Sequence, residues 1–177
     1  MKFASVIIAI VVFLLPFNTI FATESTIPEI IANDYILAYP GILPDHPLYF
    51  FKKIRDKITV VFFTKPENKI NYYLLQTDKG IHAASLLLNK GKVDLAKETA
   101  LKAEHNFTLV TYEIKKHRSI LDKVMYLKLK KAVLKHQEVL KKITRAVNKD
   151  DKKTFETVIY FSEKNLNEIE NTLYSSR

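Results

Sequence analysis

Residues 66–91, PENKINYYLLQTDKGIHAASLLLNKG, decide the architecture of this chain. Ile70, Leu74, Thr77, Ile81, Ala84 and Leu88 recur at alternating steps of four and three, the spacing that lines side chains along one face of an α-helix. Thr64, Lys65, Pro66 and Glu67 read as the start of that helix. A Thr N-cap with Glu three residues on can satisfy free amide donors reciprocally, and proline is favoured in a first turn. Gly91 reads as its end. The next stripe, Ala96, Ala100, Ala103, Phe107, Val110 and Ile114, keeps the same spacing and puts small residues near the turn. The two helices are therefore expected to form an antiparallel hairpin that closes tightly there.

The pattern continues outward. A further helix is expected from about Ile120 to Val147, with Leu121, Met125, Leu129, Ala132, His136, Leu140, Ile143 and Val147 near one face. After a polar turn, Asn148–Asp151, a last helix carries Phe155, Ile159, Ser162, Leu166, Ile169 and Leu173, with Asp150 or Asp151 as its cap. All six prolines fall at or before Pro66 and only three glycines occur, so the body lacks the residues that break helices. Short connections between long helices imply antiparallel neighbours. The fold expected is all-α, an antiparallel bundle of about five helices over 47–177. Its interior should hold Leu74, Ile81, Leu88, Ala100, Phe107, Val110, Ile114, Leu121, Met125, Ile159, Leu166 and Ile169.

The amino terminus has a different character. Met1 and Lys2 precede an unbroken apolar run, Val6–Leu15, then Pro16 and a softer tail ending at Phe21 and Ala22. This reads as a secretory signal over 1–22. Ile20 stands where a signal cut after Ala22 prefers a small residue, so the alternative is a retained single-span anchor, short at 17 residues from Val6 to Ala22. Either way the domain is expected outside the cytoplasm, secreted or anchored. The chain contains no cysteine, which excludes a thiol-linked lipid anchor and any disulfide, so the fold must be held by its core.

Residues 23–46 link the two parts. They contain Pro28, Pro40 and Pro44 but also Ile27, Ile30, Ile31, Tyr35, Ile36, Leu37 and Tyr39. The first part, to about Asn33, reads as a linker and the later part as extended chain laid on the bundle. Tyr39-Pro40-Gly41 signals a turn. Asp45 or His46 can then cap a helix opened by Pro47 and running to about Phe63.

Leu43, Pro44, Pro47, Leu48, Tyr49 and Lys52 form a composite motif: Leu-Pro, two variable residues, Pro-Leu-Tyr, two more, then Lys. This passage resembles the bacterial extracytoplasmic family designated domain of unknown function 5667. The resemblance runs on through the Lys-Pro-Glu helix start and the hairpin at Gly91, roughly residues 40 to 118. It implies a helical, exported or membrane-tethered domain and brings no catalytic residue with it.

The chemistry-bearing residues give no catalytic pattern. His46, His82, His105, His117 and His136 include no pair four apart, and no Glu-x-x-His exists for a carboxylate-bridged metal bundle. Ser85, Ser119 and Ser162 lack a nucleophile elbow. Glu98, Glu104, Glu113, Glu163, Glu168 and Glu170 lie near lysines at helical spacing and read as surface pairs. No cofactor or metal is expected. A cryptic enzyme or a metal-binding bundle is the alternative reading.

Charge is the uneven feature. Between Lys115 and Arg145 stand eleven Lys or Arg against only Asp122 and Glu138, a surplus equal to the net +9 of the whole chain. This points to a solvated face or to attraction toward anionic envelope polymers or lipid headgroups. Lys128, Lys131, Lys135 and Lys142 are the candidate contacts, since their spacing puts them along one stripe of a continuous helix. Nucleic acid is disfavoured, because Tyr126 is the one aromatic among these cations. A protein partner is compatible, and oligomeric state is not legible. Finally, Ile58-Thr59-Val60-Val61-Phe62-Phe63 is apolar on nearly every side and is expected beneath the bundle. Left exposed, it would be a patch for a partner or a bilayer.

Overall fold

The hairpin closes on Gly91, whose φ of 72° is left-handed backbone that glycine adopts without steric cost. The Gly91 and Lys92 amides donate to the Leu88 and Leu87 carbonyls at 2.8 and 3.0 Å, satisfying groups that a helix end leaves unpaired. The computed structural model describes residues 34–175. The signal or anchor read at 1–22, and the linker to residue 33, lie outside the described residues. Five helices follow an extended lead-in: α1 (Tyr49–Val61), α2 (Pro66–Asn89), α3 (Val93–Lys116), α4 (Lys123–Ala146) and α5 (Lys149–Ser175). A 3-10 turn, Arg118–Ile120, joins α3 to α4.

Helix starts differ from the sequence reading at three places. The α2 N-cap is Lys65, without a side-chain cap, so Thr64 stands one residue too early for the reciprocal bond, while Pro66 does open the helix. Ile120 belongs to the 3-10 turn, and α4 begins after Asp122, whose carboxylate accepts from the Met125 amide at 2.7 Å. Asn148, not Asp150 or Asp151, caps α5 by accepting from the Asp151 amide at 2.9 Å. The two aspartates occupy the first turn, where negative charge complements the helix dipole.

Helix α2 packs on α3 and α4, and α5 packs on the same two, so α2–α3–α5–α4 close a four-membered ring of neighbours. Because each helix meets two others, each buries an arc wider than a single stripe. Eight of the twelve residues expected inside are fully buried: Leu74, Ile81, Ala100, Phe107, Val110, Ile114, Leu121 and Ile169. Leu88, Met125, Ile159 and Leu166 are half-buried against the same core, with Leu87, Tyr126, Val158 and Asn165 taking the deeper positions beside them. The hairpin packs closely at mid-length, between Gly80 and Ala103. A Cβ added at Gly80 would meet Ala103 Cβ at 2.6 Å.

The apolar core forms two clusters. One gathers Ile70, Phe107, Leu129 and Ile169, the other Ile81, Ala100, Leu140 and Phe155. Along each of the four core helices a buried polar group separates them: Asp78 on α2, Glu104 on α3, His136 on α4, and Ser162 with Asn165 on α5. Residues 34–40 of the lead-in, without regular secondary structure, lie on this bundle. Tyr35 and Leu37 pack against the two clusters, Pro40 is buried, and the Ala38 carbonyl lies 3.3 Å from His82 Nδ1.

The first helix departs most from expectation. α1 has no fully buried residue, and Val61 and Phe62 are 79% and 77% exposed. Burial of Ile58–Phe63 beneath the bundle is thus corrected. The ring α2–α3–α5–α4 already closes both core clusters, which leaves α1 only an outer surface to rest on.

Candidate functional site

The motif Leu-Pro-x-x-Pro-Leu-Tyr-x-x-Lys builds the joint between lead-in and α1. The His46 amide donates to the Leu43 carbonyl, and the Tyr49 amide to His46, each at 3.0 Å. The His46 ring accepts from the Leu48 amide at 3.1 Å. Lys52 reaches back to donate to the Pro40 and Ile42 carbonyls at 2.7 and 3.2 Å and lies over the Tyr49 ring. Half-buried there, its ammonium is pushed below its ordinary pKa by desolvation. Asp45 does not cap α1. Its carboxylate takes Lys90 and Lys92, each at 3.0 Å, so the lead-in clamps the α2–α3 turn, and the two ammonium groups hold that carboxyl down to about 2.

The polar layer is the second constellation. Tyr35 OH donates to Asp78 Oδ2 at 2.7 Å, and His136 Nε2 to Asp78 Oδ1 at 2.6 Å. Burial and the neighbouring carboxylate push the Tyr35 phenol well above its usual range. Glu104 accepts from Asn165 Nδ2 at 2.7 Å, and the same amide donates to Thr108 Oγ1 at 3.0 Å. Desolvation raises the Glu104 carboxyl to about 8, only partly offset by the Asn165 bond. Glu104 Oε2, His136 Nδ1 and Ser162 Oγ have no protein partner. The reading of surface pairs at helical spacing holds for Glu98 with Lys102; Glu168 pairs instead with Lys115 on another helix, and Glu104 and Glu113 are buried. These two lie at the edges of the α3 arc, and an arc facing two neighbours takes them in. Ser162, considered as a nucleophile, is fully buried. Among the described residues no three His, Asp or Glu gather as metal ligands.

The basic segment occupies the outer side of α4, which is continuous from Lys123 to Ala146. Buried Tyr126, Leu129, Val133, His136 and Leu140 face the bundle. At about 100° per residue, Lys128, Lys131, Lys135 and Lys142 share roughly 60° of arc opposite them. Lys131 holds Asp34 at 3.0 Å. Lys135 and Lys142 share Glu138 at 2.8 and 2.7 Å, which pulls that carboxyl down to about 2. Lys128 donates to Asn71 Oδ1 at 2.8 Å. Among the described residues, then, Lys128 is the only one of the candidate four outside an ion pair. Lys116, Arg118, Lys123, Lys130, Lys141 and Arg145 also enter none, with Lys130 set over the Tyr126 ring.

Helix α1 carries the fourth constellation. Its inner side is tied to α2, where Tyr72 OH donates to the Asp56 carbonyl at 2.6 Å and its ring meets Phe63. Phe50, Phe51, Ile54, Ile58, Val61 and Phe62 are all exposed. Phe51, Ile54, Ile58 and Phe62 line a groove of about 530 Å³.

The sequence pattern of the family described as a domain of unknown function (DUF5667) matches residues 41–150. The chain belongs to this family. In the DUF5667 domain, the matched stretch runs from the turn beneath Lys52 through α4, further than the resemblance at residues 40–118, and stops as α5 begins. Comparison with curated proteins and with solved structures gave no match. Among the described residues of this DUF5667 chain, no helix is long and apolar enough to cross a membrane.

Proposed function

We propose that this DUF5667 chain is an exported, envelope-associated module that binds or scaffolds through charge rather than catalysing a reaction. The observation that carries the reading is the cation surplus that remains on α4 and the turn before it once every ion pair is formed. Among the described residues Lys116, Arg118, Lys123, Lys128, Lys130, Lys141 and Arg145 enter no ion pair, whereas Lys115 pairs with Glu168, Lys131 with Asp34, and Lys135 and Lys142 share the single carboxylate of Glu138. Such a field attracts anionic polymers or lipid headgroups. Nucleic acid suits it poorly, because the aromatic among these cations, Tyr126, is buried with its hydroxyl on Glu170 and offers no ring for a base to stack on. The location is supported by the cationic start and apolar run within residues 1–22.

The test is binding of the full chain to a soluble polyanion, polyphosphate, as salt rises. The reading predicts binding that weakens steeply between about 50 and 200 mM salt, as counterion-linked contacts do. Reversing Lys123, Lys128, Lys141 and Arg145 to Glu should remove it with helicity unchanged, since all four are exposed. Reversing Lys131, Lys135 and Lys142 is the less selective variant, because it also sets like charges against Asp34 and Glu138. A wild-type chain that ignores polyphosphate at low salt overturns the reading.

A further inference from the structure

Helix α1 is amphipathic in the inverted sense. At about 100° per residue, Phe50, Phe51, Ile54, Ile58, Val61 and Phe62 fill roughly 120° of arc on the side turned away from the bundle, and every one is exposed. Cations border that arc on both sides, Lys53 and Lys57 along one edge and Arg55 along the other, all exposed. The one carboxylate of the helix, Asp56, lies on the bundle side and accepts from Arg55 at 2.8 Å. An outward apolar strip with a cationic margin has the composition of helices that lie in a membrane interface, with rings and aliphatic groups among the acyl chains and long basic side chains reaching up to the headgroups.

We infer that α1 docks this domain flat onto a bilayer containing anionic lipids, with Phe51, Ile54, Ile58 and Phe62 immersed and Lys53, Arg55 and Lys57 on the headgroup phosphates. Charge selects this occupant. A second copy meeting the strip face to face would bring the cationic margins of both copies together with no facing carboxylate. An anionic lipid surface supplies both the apolar medium and the countercharge. The inference rests on the envelope location proposed above and not on the α4 cations. Docking through α1 supplies a second attachment, independent of whether residues 1–22 are retained or removed.

The absence of cysteine gives a site-specific test in the full chain. A single spin label is attached at Ile58→Cys, at Lys141→Cys on α4, or at Glu156→Cys on α5 as the exposed control. Each chain is mixed with vesicles of phosphatidylcholine alone or of phosphatidylcholine with phosphatidylglycerol. The label at 58 should become several-fold less accessible to a water-soluble nickel chelate on the anionic vesicles, while the label at 156 stays aqueous. Lys53→Glu combined with Lys57→Glu should return the label at 58 to water. Since no α1 side chain is fully buried, these variants should keep the helicity of the wild type.

A label at 58 that stays aqueous on both vesicles overturns the inference, whatever the label at 141 reports. Immersion that ignores lipid charge and the double reversal overturns it as well. Shielding without vesicles, accompanied by a dimer mass, replaces it with self-association. A silent label at 141 beside an immersed label at 58 leaves α1 docking standing, and the α4 reading then stands or falls on polyphosphate binding.

Discussion

Glu104→Gln should stabilise this protein, and by an amount that grows with pH. Glu104 is 5% exposed, and its carboxyl pKa rises from an ordinary 4.5 to about 8 because burial penalises the charged form. Between those two values the unfolded chain is ionised at residue 104 while the folded chain keeps the proton. The folded state thus binds more protons, and stability falls as pH rises. Below about pH 4.5 both states are protonated and nothing is lost. Each pH unit above that costs ~1.4 kcal/mol, so the full loss by pH 8 is roughly 4 to 5 kcal/mol, an upper figure if the site relaxes. Gln keeps an oxygen for the Asn165 amide and has no charge to bury. The assay is urea unfolding followed by circular dichroism, for both chains, at intervals from pH 5 to 8. Other titrations are common to both and cancel in the difference. The expected difference is small at pH 5 and favours the variant by several kcal/mol at pH 8. A difference flat with pH, or a variant less stable at pH 8, would refute the buried neutral carboxyl.

Phe107→Ala should cost about 3 to 5 kcal/mol, because it removes one of the largest fully buried side chains and leaves a cavity; denaturant midpoints of the two chains measure it. Lys97→Ala should leave the midpoint in the same assay almost unmoved, since its pairs with Asp94 and Asp151 are screened by solvent. Gly80→Ala gains about 1 kcal/mol of helix propensity but sets a methyl against Ala103 at 2.6 Å. The clash should win, giving a net loss of about 1 to 2 kcal/mol, and a more stable variant would show that the hairpin can spread without cost.

Much of the bundle is legible in its sequence because its signals are local. Gly91 can end a helix wherever it occurs, and the four-and-three stripes from Ile70 to Ile114 require only that one face be apolar. What lay beyond local reading was how many neighbours each helix meets. A stripe presumes one contact face, whereas α2, α3, α4 and α5 each have two, so Leu87 and Val158 move inward and Glu104 is buried at an edge. Glu104 looks like a surface residue because Lys lies nearby in sequence, and its partner Asn165 is 61 residues away. A polar residue interrupting the apolar arc at the same depth on each of four helices was the available signal. The α1 strip misled for the opposite reason. An apolar run favours burial, yet nothing in Ile58–Phe63 itself says whether the core has room for it. The pairing of Lys131 with Asp34 also depends on where the lead-in lies, which periodicity cannot give.

Location underlies both the charged-surface and the bilayer reading, and one measurement addresses it directly. The protein is followed in the cells that make it by fractionation, by protease added outside intact cells stripped of their wall, and by sequencing of its amino terminus. The account predicts a domain in the membrane or external fraction that is digested from outside, with residues 1–22 either removed or retained in the membrane. A chain recovered wholly from the cytosol, protected from the protease and still carrying Met1 or Lys2 at its end, would contradict it.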